Sequence, residues 1–399
     1  MTLKVAGYSL AEDSQRKLWD QTVQAFEAAN PDIKIESIPV PFFESLDQYL
    51  TMVASGNAPD MAQVSIENVQ LFKTGAVIPL EDKLPADLFA DLPDAPRDAT
   101  TIDGHLLAWP WATGTIQLLY NPKILADAGI TAPAKTLDEL KQQTITVAQK
   151  LGPEVLGLGE TVKRGAFTAY FWMPFLWSFG GDVFSEDGKT ITINSDAAVQ
   201  AVSYYRDLVK ADGIPTGQDV FDFRGLFAQD KLAYYADCSC ASGLLKAASP
   251  QGADFKNFAG MPAPAGPAGP SSLLWGHWWT IFKTSDHQAE SVRFLQFLVS
   301  DPDVAKLWFE GQSQLPASKK LLAGAPYADD PFAKAYIDGL ADARSITKAF
   351  QYNPAFLQAL DAISIAIEDV ALTDRDPKEA LDQAAQSLTV LYPGTTVQP

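Results

Sequence analysis

The chain opens with alternating apolar and polar positions, and Leu3 to Tyr8 predicts a strand. The period then lengthens: Trp19, Val23 and Phe26 recur at helical spacing, so Asp13 to Asn30 predicts a helix that Asn30-Pro31 ends. Ile33 to Ile38 alternates again as a second strand. A helix from about Glu44 to Ser55 follows, closed by Gly56, and Asp60 to Val64 is a third strand. Strands separated by helices of this length imply a parallel sheet with right-handed crossovers, and ligands of such sheets bind beyond the carboxyl ends of the strands. The loops after Tyr8, Ile38 and Val64 are therefore expected to converge.

Farther along, His105 to Tyr120 is rich in aromatic and β-branched residues and reads as an extended crossing from one lobe to another. Thr136-Leu137-Asp138-Glu139 is a capping box opening a helix, and a second helix runs from Asp196 to Ala211. Between them, Gly180 to Ile193 predicts a hairpin around Asp187-Gly188. Pro262, Pro264, Pro267 and Pro270 forbid regular structure in a linker over Met261 to Pro270, after which Leu273 to Phe282 reads as a second crossing strand. Helices follow, one capped by Ser285-x-x-Gln288 and two by Asp301-Pro302 and Asp376-Pro377.

Composition narrows the function. Thirty basic against forty-nine acidic residues give a net charge of -19, dispersed along the chain, which argues against nucleic acid or an anionic membrane as partner. No run approaches the roughly 18 apolar residues of a membrane span. Met1 to Tyr8 carries no signal-peptide pattern, so either the protein is cytoplasmic or its leader is absent from this sequence. Cys238-x-Cys240, set along an extended strand, would lie on one face and too far apart for a relaxed bridge; the pair reads as two small buried hydrophobes. Nine tryptophans fall mostly into three groups: Trp109 with Trp111, Trp172 with Trp177, and Trp275 with Trp278 and Trp279.

Catalytic and metal motifs do not emerge. His105, His277 and His287 have no metal-ligand spacing, and neither a phosphate loop, a dinucleotide fingerprint nor a nucleophile elbow is present, so no cofactor and no metal are expected. What remains is aromatic residues beside carboxylates, the furniture of a sugar site: pyranose CH faces stack on rings and hydroxyls bond to carboxylates.

Ordered fragments give this a family. Phe26 to Ile38 (FEAANPDIKIESI), Ser55-Gly56-Asn57-Ala58-Pro59-Asp60, Lys73 to Leu80, Asp103 to Pro110, Leu119-Tyr120-Asn121-Pro122, Phe179-Gly180-Gly181, Phe294-Leu295-x-Phe297-Leu298 and Pro316 together resemble the solute-binding proteins of ABC importers, carbohydrate-binding, maltose-binding-protein-like type. The resemblance implies an α/β, two-lobe periplasmic-binding-protein fold, each lobe a mixed, mostly parallel sheet flanked by helices and joined by hinge strands. It places residues 1–110 and 273–315 in the N-terminal lobe and 116–270 and 316–399 in the C-terminal lobe, with hinges near 110–115, 270–280 and 315. The implied function is non-enzymatic: a periplasmic monomer that binds a mono- or oligosaccharide, glycoside or polyol between its lobes, closes on it and delivers it to a permease. The alternative is a carbohydrate-active enzyme using a carboxylate pair.

On that expectation the ligand residues follow the strands. Glu12 and Asp13 come after the first strand, where Asp13 serves equally as a helix N-cap; Phe43, beside Phe42, follows the second; Glu67 and Asn68 follow the third. Trp111, Thr113 and Thr115 share one face of the first crossing. Gly165, Ala166 and Tyr170 are candidates for the opposing wall, Trp275, Gly276 and His277 for the second crossing with Trp275 as stacking platform, and Arg344 for a bidentate contact.

Overall fold

The computed structural model describes residues 1–398, the side chain of Phe43 excepted. The chain divides into two compact units, the first made of Met1–Gly114, Ser239–Gly243 and Leu274–Ala333, the second of the intervening segments Thr115–Cys238 and Leu244–Leu273 and the chain from 334 on.

In the first unit β1 (Thr2–Gly7), α1 (Asp13–Ala29), β2 (Lys34–Pro39), α2 (Ser45–Ala54) and β3 (Met61–Val64) match the periodicity in order. β1 is central: Leu3 pairs with Ile35 of β2 and Val5 with Met61 of β3, both parallel. The strand Ser272–Ile281 then runs antiparallel to β3, with Trp278 opposite Val64. Its core gathers Leu3, Val5, Trp19, Phe26, Trp109, Trp111, Trp279 and Trp308. Trp19 stacks on Trp279 at 5.5 Å, and Trp111 meets Trp308 edge-on at 4.8 Å. The tryptophan groups visible along the chain thus dissolve in space, with the two isolated residues, Trp19 and Trp308, completing the same core. Each of those two also satisfies its indole N–H, on Ser37 Oγ and Thr22 Oγ1.

The expected last crossing near 315 differs from what the structure shows, for the chain packs with the first unit as far as Ala333. The physical reason is local: Leu315 pairs with Thr113, Phe309 meets Tyr327 at 4.7 Å, and Asp91 accepts hydrogen bonds from the Ser318 hydroxyl and from Lys320 N.

The second unit has its own sheet. Leu232–Asp237 is parallel to Leu156–Gly159 and antiparallel to the end of the strand Trp109–Tyr120, with Leu119 opposite Tyr235. The helix Ala166–Ser178 is buried along most of its length, which is why its sequence shows no polar stripe. The chain does turn at Asp187-Gly188, with Gly188 at φ 69, but Ser185 N bonds to Thr190 O across a four-residue loop and the arms share a single bridge, Phe184 with Ile191, rather than the expected two-residue hairpin. Asp301 and Asp376 cap their helices. Two caps depart from expectation. Thr136 accepts from Glu139 N, but the Glu139 carboxylate takes Lys135 N rather than closing the box. Ser285 caps no helix through its side chain; it donates to Asp60 and accepts from His287 N, and Gln288–Ser300 begins without a side-chain cap.

Cys238 and Cys240 are disulfide-bonded, which overturns the reading of two separate buried thiols. That reading assumed an extended backbone. The strand ends at Asp237 and residues 238–240 turn before the helix Ala241–Ala248, so the extended spacing never applies.

Candidate functional site

The loops after β1, β2 and β3 meet in the first unit, as parallel topology requires. Because Trp278 lies opposite Val64, the last residue of β3, the residues preceding it in the antiparallel strand, Trp275 to His277, extend past the carboxyl end of β3 into the same region. Tyr8, one residue beyond β1, stands at its middle. Its ring meets Phe42 at 5.0 Å and His277 at 5.0 Å, both edge-on, while its hydroxyl donates to Val64 O at 3.1 Å. Phe42 in turn lies 6.4 Å from Trp275. Gly276 permits this packing: a Cβ there would come within 2.7 Å of Ala112 O and 3.0 Å of Trp278 Nε1.

The polar floor comes from the turn after β3. Ser65 donates its hydroxyl to the Glu67 carboxylate, and Asn68 Oδ1 accepts from Ser65 N at 2.9 Å while its amide donates to Ser45 Oγ at 2.8 Å. Asn68 is therefore committed to holding the turn. Glu67 is not: its Oε1 is enclosed and bonds to no protein group among the described residues, and the same holds for His277 Nδ1. Burial pushes the Glu67 carboxyl up to about 7, against the opposing Ser65 hydroxyl, and pushes the His277 imidazole down to about 4. Burial, with Tyr49 and then Glu67 adding to it, holds the Tyr8 hydroxyl well above its usual range. Near neutral pH this region thus presents a neutral imidazole, a neutral phenol and a carboxyl balanced between acid and anion. Enclosed polar atoms of this kind are costly unless something bonds to them.

The second unit, taken by itself, uses its polar side chains differently. Asp237 Oδ2 accepts from Arg224 Nε at 3.2 Å, Arg224 Nη2 at 3.0 Å and the Tyr235 hydroxyl at 2.6 Å, while Oδ1 accepts from Cys238 N at 2.8 Å. Other buried polar atoms of this unit, Glu160 Oε1 and Gln218 Oε1 among them, bond to no protein group among the described residues; Glu160 lines a small, half-open pocket of about 30 Å³, room for a single water.

Comparison with known proteins decides the family. Residues 21–335 match the model of the bacterial extracellular solute-binding protein family, most of the chain. The chain belongs to the bacterial extracellular solute-binding proteins. Among its relatives, the putative ABC transporter periplasmic-binding protein YcjN of Escherichia coli is 23% identical, covering 82% of this chain and 76% of the relative. Two solved structures share the fold. The GacH receptor of Streptomyces glaucescens, known unliganded and with acarbose, superposes with a TM-score of 0.86 at 22% identity over 99% of both chains. Maltose-bound MalE3 of T. maritima gives 0.85 at 22% identity, over 98% of this chain and 99% of its own.

In this solute-binding protein the expected site residues separate into groups. Glu67, Trp275, Gly276 and His277 come together around Tyr8. Glu12 and Asp13 are exposed after β1, and Asp13 lies inside α1 with Glu12 in the capping position, so Asp13 is not an N-cap. Phe43 falls in the turn Phe42–Glu44, and its side chain lies outside the described residues. Trp111 is spent on the core; Thr113 is buried with its hydroxyl unpartnered among the described residues. In the second unit Thr115 donates to Gln117 Oε1 at 3.0 Å, Gly165 caps the helix Ala166–Ser178 at φ 152 with its N–H on Ser364 Oγ, and Tyr170 is buried near Phe356. Arg344 has an ion pair with Asp182 at 2.8 Å and lies over the Trp177 ring at 4.9 Å. Sequence reasoning missed Tyr8 and Ser65. Tyr8 is the last residue of the first predicted strand and Ser65 directly follows the third, so the carboxyl-end rule applied to every residue at or just past a strand end would have found them.

Proposed function

We propose that this protein is the substrate-binding component of an ABC importer, acting as a monomer outside the cytoplasmic membrane and handing an unaltered, uncharged carbohydrate or polyol to a permease. The observation that carries the reading is the pair of enclosed, unpartnered atoms, Glu67 Oε1 and His277 Nδ1, beside the rings of Tyr8, Phe42 and Trp275. A sugar supplies what these groups lack: hydroxyls that both donate and accept, and CH faces that lie on rings. The titration states favour a neutral ligand. His277 is uncharged near pH 7 and Glu67 is about half ionised, so an anionic ligand would meet a partly formed carboxylate, and a cationic one would find no fully formed counter-charge. Acarbose and maltose in the two structural neighbours support the ligand class.

A thermal-shift screen followed by calorimetry over maltose, maltotriose, galactose, chitobiose, glycerol and glucuronate tests this, because a ligand that binds the folded state alone raises the melting temperature by mass action. Saturable binding of at least one neutral sugar or polyol is expected, and chromatography should return it unchanged. Exclusive binding of the uronate would overturn the neutral-ligand reading; accumulation of a cleaved product would replace the binding protein with a glycoside hydrolase.

A further inference from the structure

The described large apolar side chains that stand exposed are Met1, Phe221, Leu357, Leu372 and Val390, and of these only Phe221 is aromatic. It is 47% exposed on the helix Val220–Phe227 of the second unit, and its neighbours hold it in place. Phe167 meets it edge-on at 6.3 Å, and the Arg224 guanidinium, itself anchored on Asp237, lies 5.4 Å from the ring centre. A ring kept in one orientation with nearly half its surface open is preorganised to stack, since little conformational freedom is lost on binding.

Beside it lies a surface depression of about 470 Å³ lined by Gly217, Gln218, Phe221, Asp222, Leu226 and Gln229, with Gly225 completing the floor. Its glycines border open space: a Cβ at Gly217 or Gly225 would meet nothing within 4 Å. None of the described lining residues is basic. Gln218 Oε1 is enclosed and accepts no hydrogen bond from a described protein group, although the main-chain oxygen of the same residue accepts from Thr161 Oγ1 at 3.2 Å. A half-exposed aromatic ring, two amides, one carboxylate and an unmet acceptor form a surface for a neutral, hydroxyl-bearing ring. An apolar peptide would leave the amides unmet, and a phosphate would find no cation in the lining.

We propose that this depression is a saccharide subsite of the second unit, in which a sugar ring lies against Phe221 and donates a hydroxyl to Gln218 Oε1. The proposal rests on the carbohydrate reading above and adds a position that the strand-end site does not contain. Its consequence is that Phe221 and Gln218 help to set which saccharides bind.

Calorimetry on the full chain with maltose, maltotriose, cellotriose and chitobiose tests it, using wild type, Phe221→Ala, Phe221→Trp and Gln218→Ala, with melting temperatures as a folding control. For at least one saccharide that the wild type binds, Phe221→Ala should weaken affinity roughly tenfold and Gln218→Ala several-fold, with Phe221→Trp restoring most of the loss. Unchanged dissociation constants for every bound saccharide in both folded alanine variants would sink the subsite and leave the carbohydrate reading standing. Absence of any saccharide binding by the wild type would sink both.

Discussion

At the strand ends of the first unit, Glu67 Oε1 and His277 Nδ1 are enclosed with no partner among the described residues, whereas in the second unit Arg224, Tyr235 and Cys238 N all converge on Asp237. Both regions bury polar side chains beside aromatic rings, and both lie next to the end of a strand. They differ in what remains unbonded. A buried polar group that is satisfied by its neighbours contributes to a particular fold, and losing one partner exposes the full desolvation cost of the other. A buried polar group left unmet costs the unliganded protein stability, which a ligand's hydrogen bonds can return. The second unit's network is therefore read as architecture and the first unit's as a binding site.

Several substitutions would break or sharpen that contrast. Asp237→Ala leaves the guanidinium of Arg224 without its acceptor and should destabilise the protein by about 3–5 kcal/mol in denaturant titrations. Trp177→Ala empties a side chain only 2% exposed and should cost a similar ~3–5 kcal/mol while sparing affinity. A large loss of binding in either, with stability intact, would erase the distinction. Trp275→Ala is expected to do the reverse: a folded protein whose affinity for its sugar drops about a hundredfold, or ~3 kcal/mol, by calorimetry.

The next effect is read from pH. Glu67 binds its proton more tightly folded, at about 7 against 4.5. Its contribution to stability is thus complete below about pH 4.5 and is lost as pH rises through 7. His277 has the opposite sign, at about 4 folded against 6.5, so its contribution is complete above 6.5 and is lost as pH falls toward 4. The melting temperature of wild type minus that of Glu67→Gln should accordingly decline between about pH 4.5 and 7.5. A difference that stays flat would mean that Glu67 is not held in the enclosed state described here. The smallest effect belongs to Arg344→Ala, which removes a half-exposed ion pair and a ring contact worth together about 1 kcal/mol and should leave affinity unchanged. A tenfold weakening would instead place Arg344 among the ligand contacts.

Much of the fold was legible because its signals are local. The strand and helix periods from Leu3 to Val64, the Asp301-Pro302 and Asp376-Pro377 caps and the Asp187-Gly188 turn each depend on residues a few positions apart. The site was legible only as a zone. The topology of β1 to β3 pointed to Glu67, and the antiparallel return of Ser272–Ile281 brought in Trp275 and His277. Which side chains were free was not legible: Asn68 and Thr115 look as polar as Glu67 in sequence, but their bonds go to Ser45 and Gln117. Trp111 and Arg344 look as available as Trp275, but Trp308 and Asp182 occupy them.

The sequence by itself determined the order of strands and helices, the family fragments and the end of the sheet where a ligand belongs, because periodicity, capping and crossover handedness are properties of short stretches of chain. Tertiary structure decided which tryptophans form one core, how far the first unit extends toward Ala333, that Cys238 and Cys240 are bridged, and that Glu67 Oε1 and His277 Nδ1 stay unmet, among the described residues, beside the strand-end rings. Most of those outcomes turn on partners dozens to hundreds of residues away, and the bridge, although its cysteines are two residues apart, turns on where the strand ends. Burial and hydrogen-bond satisfaction are settled only when those partners arrive.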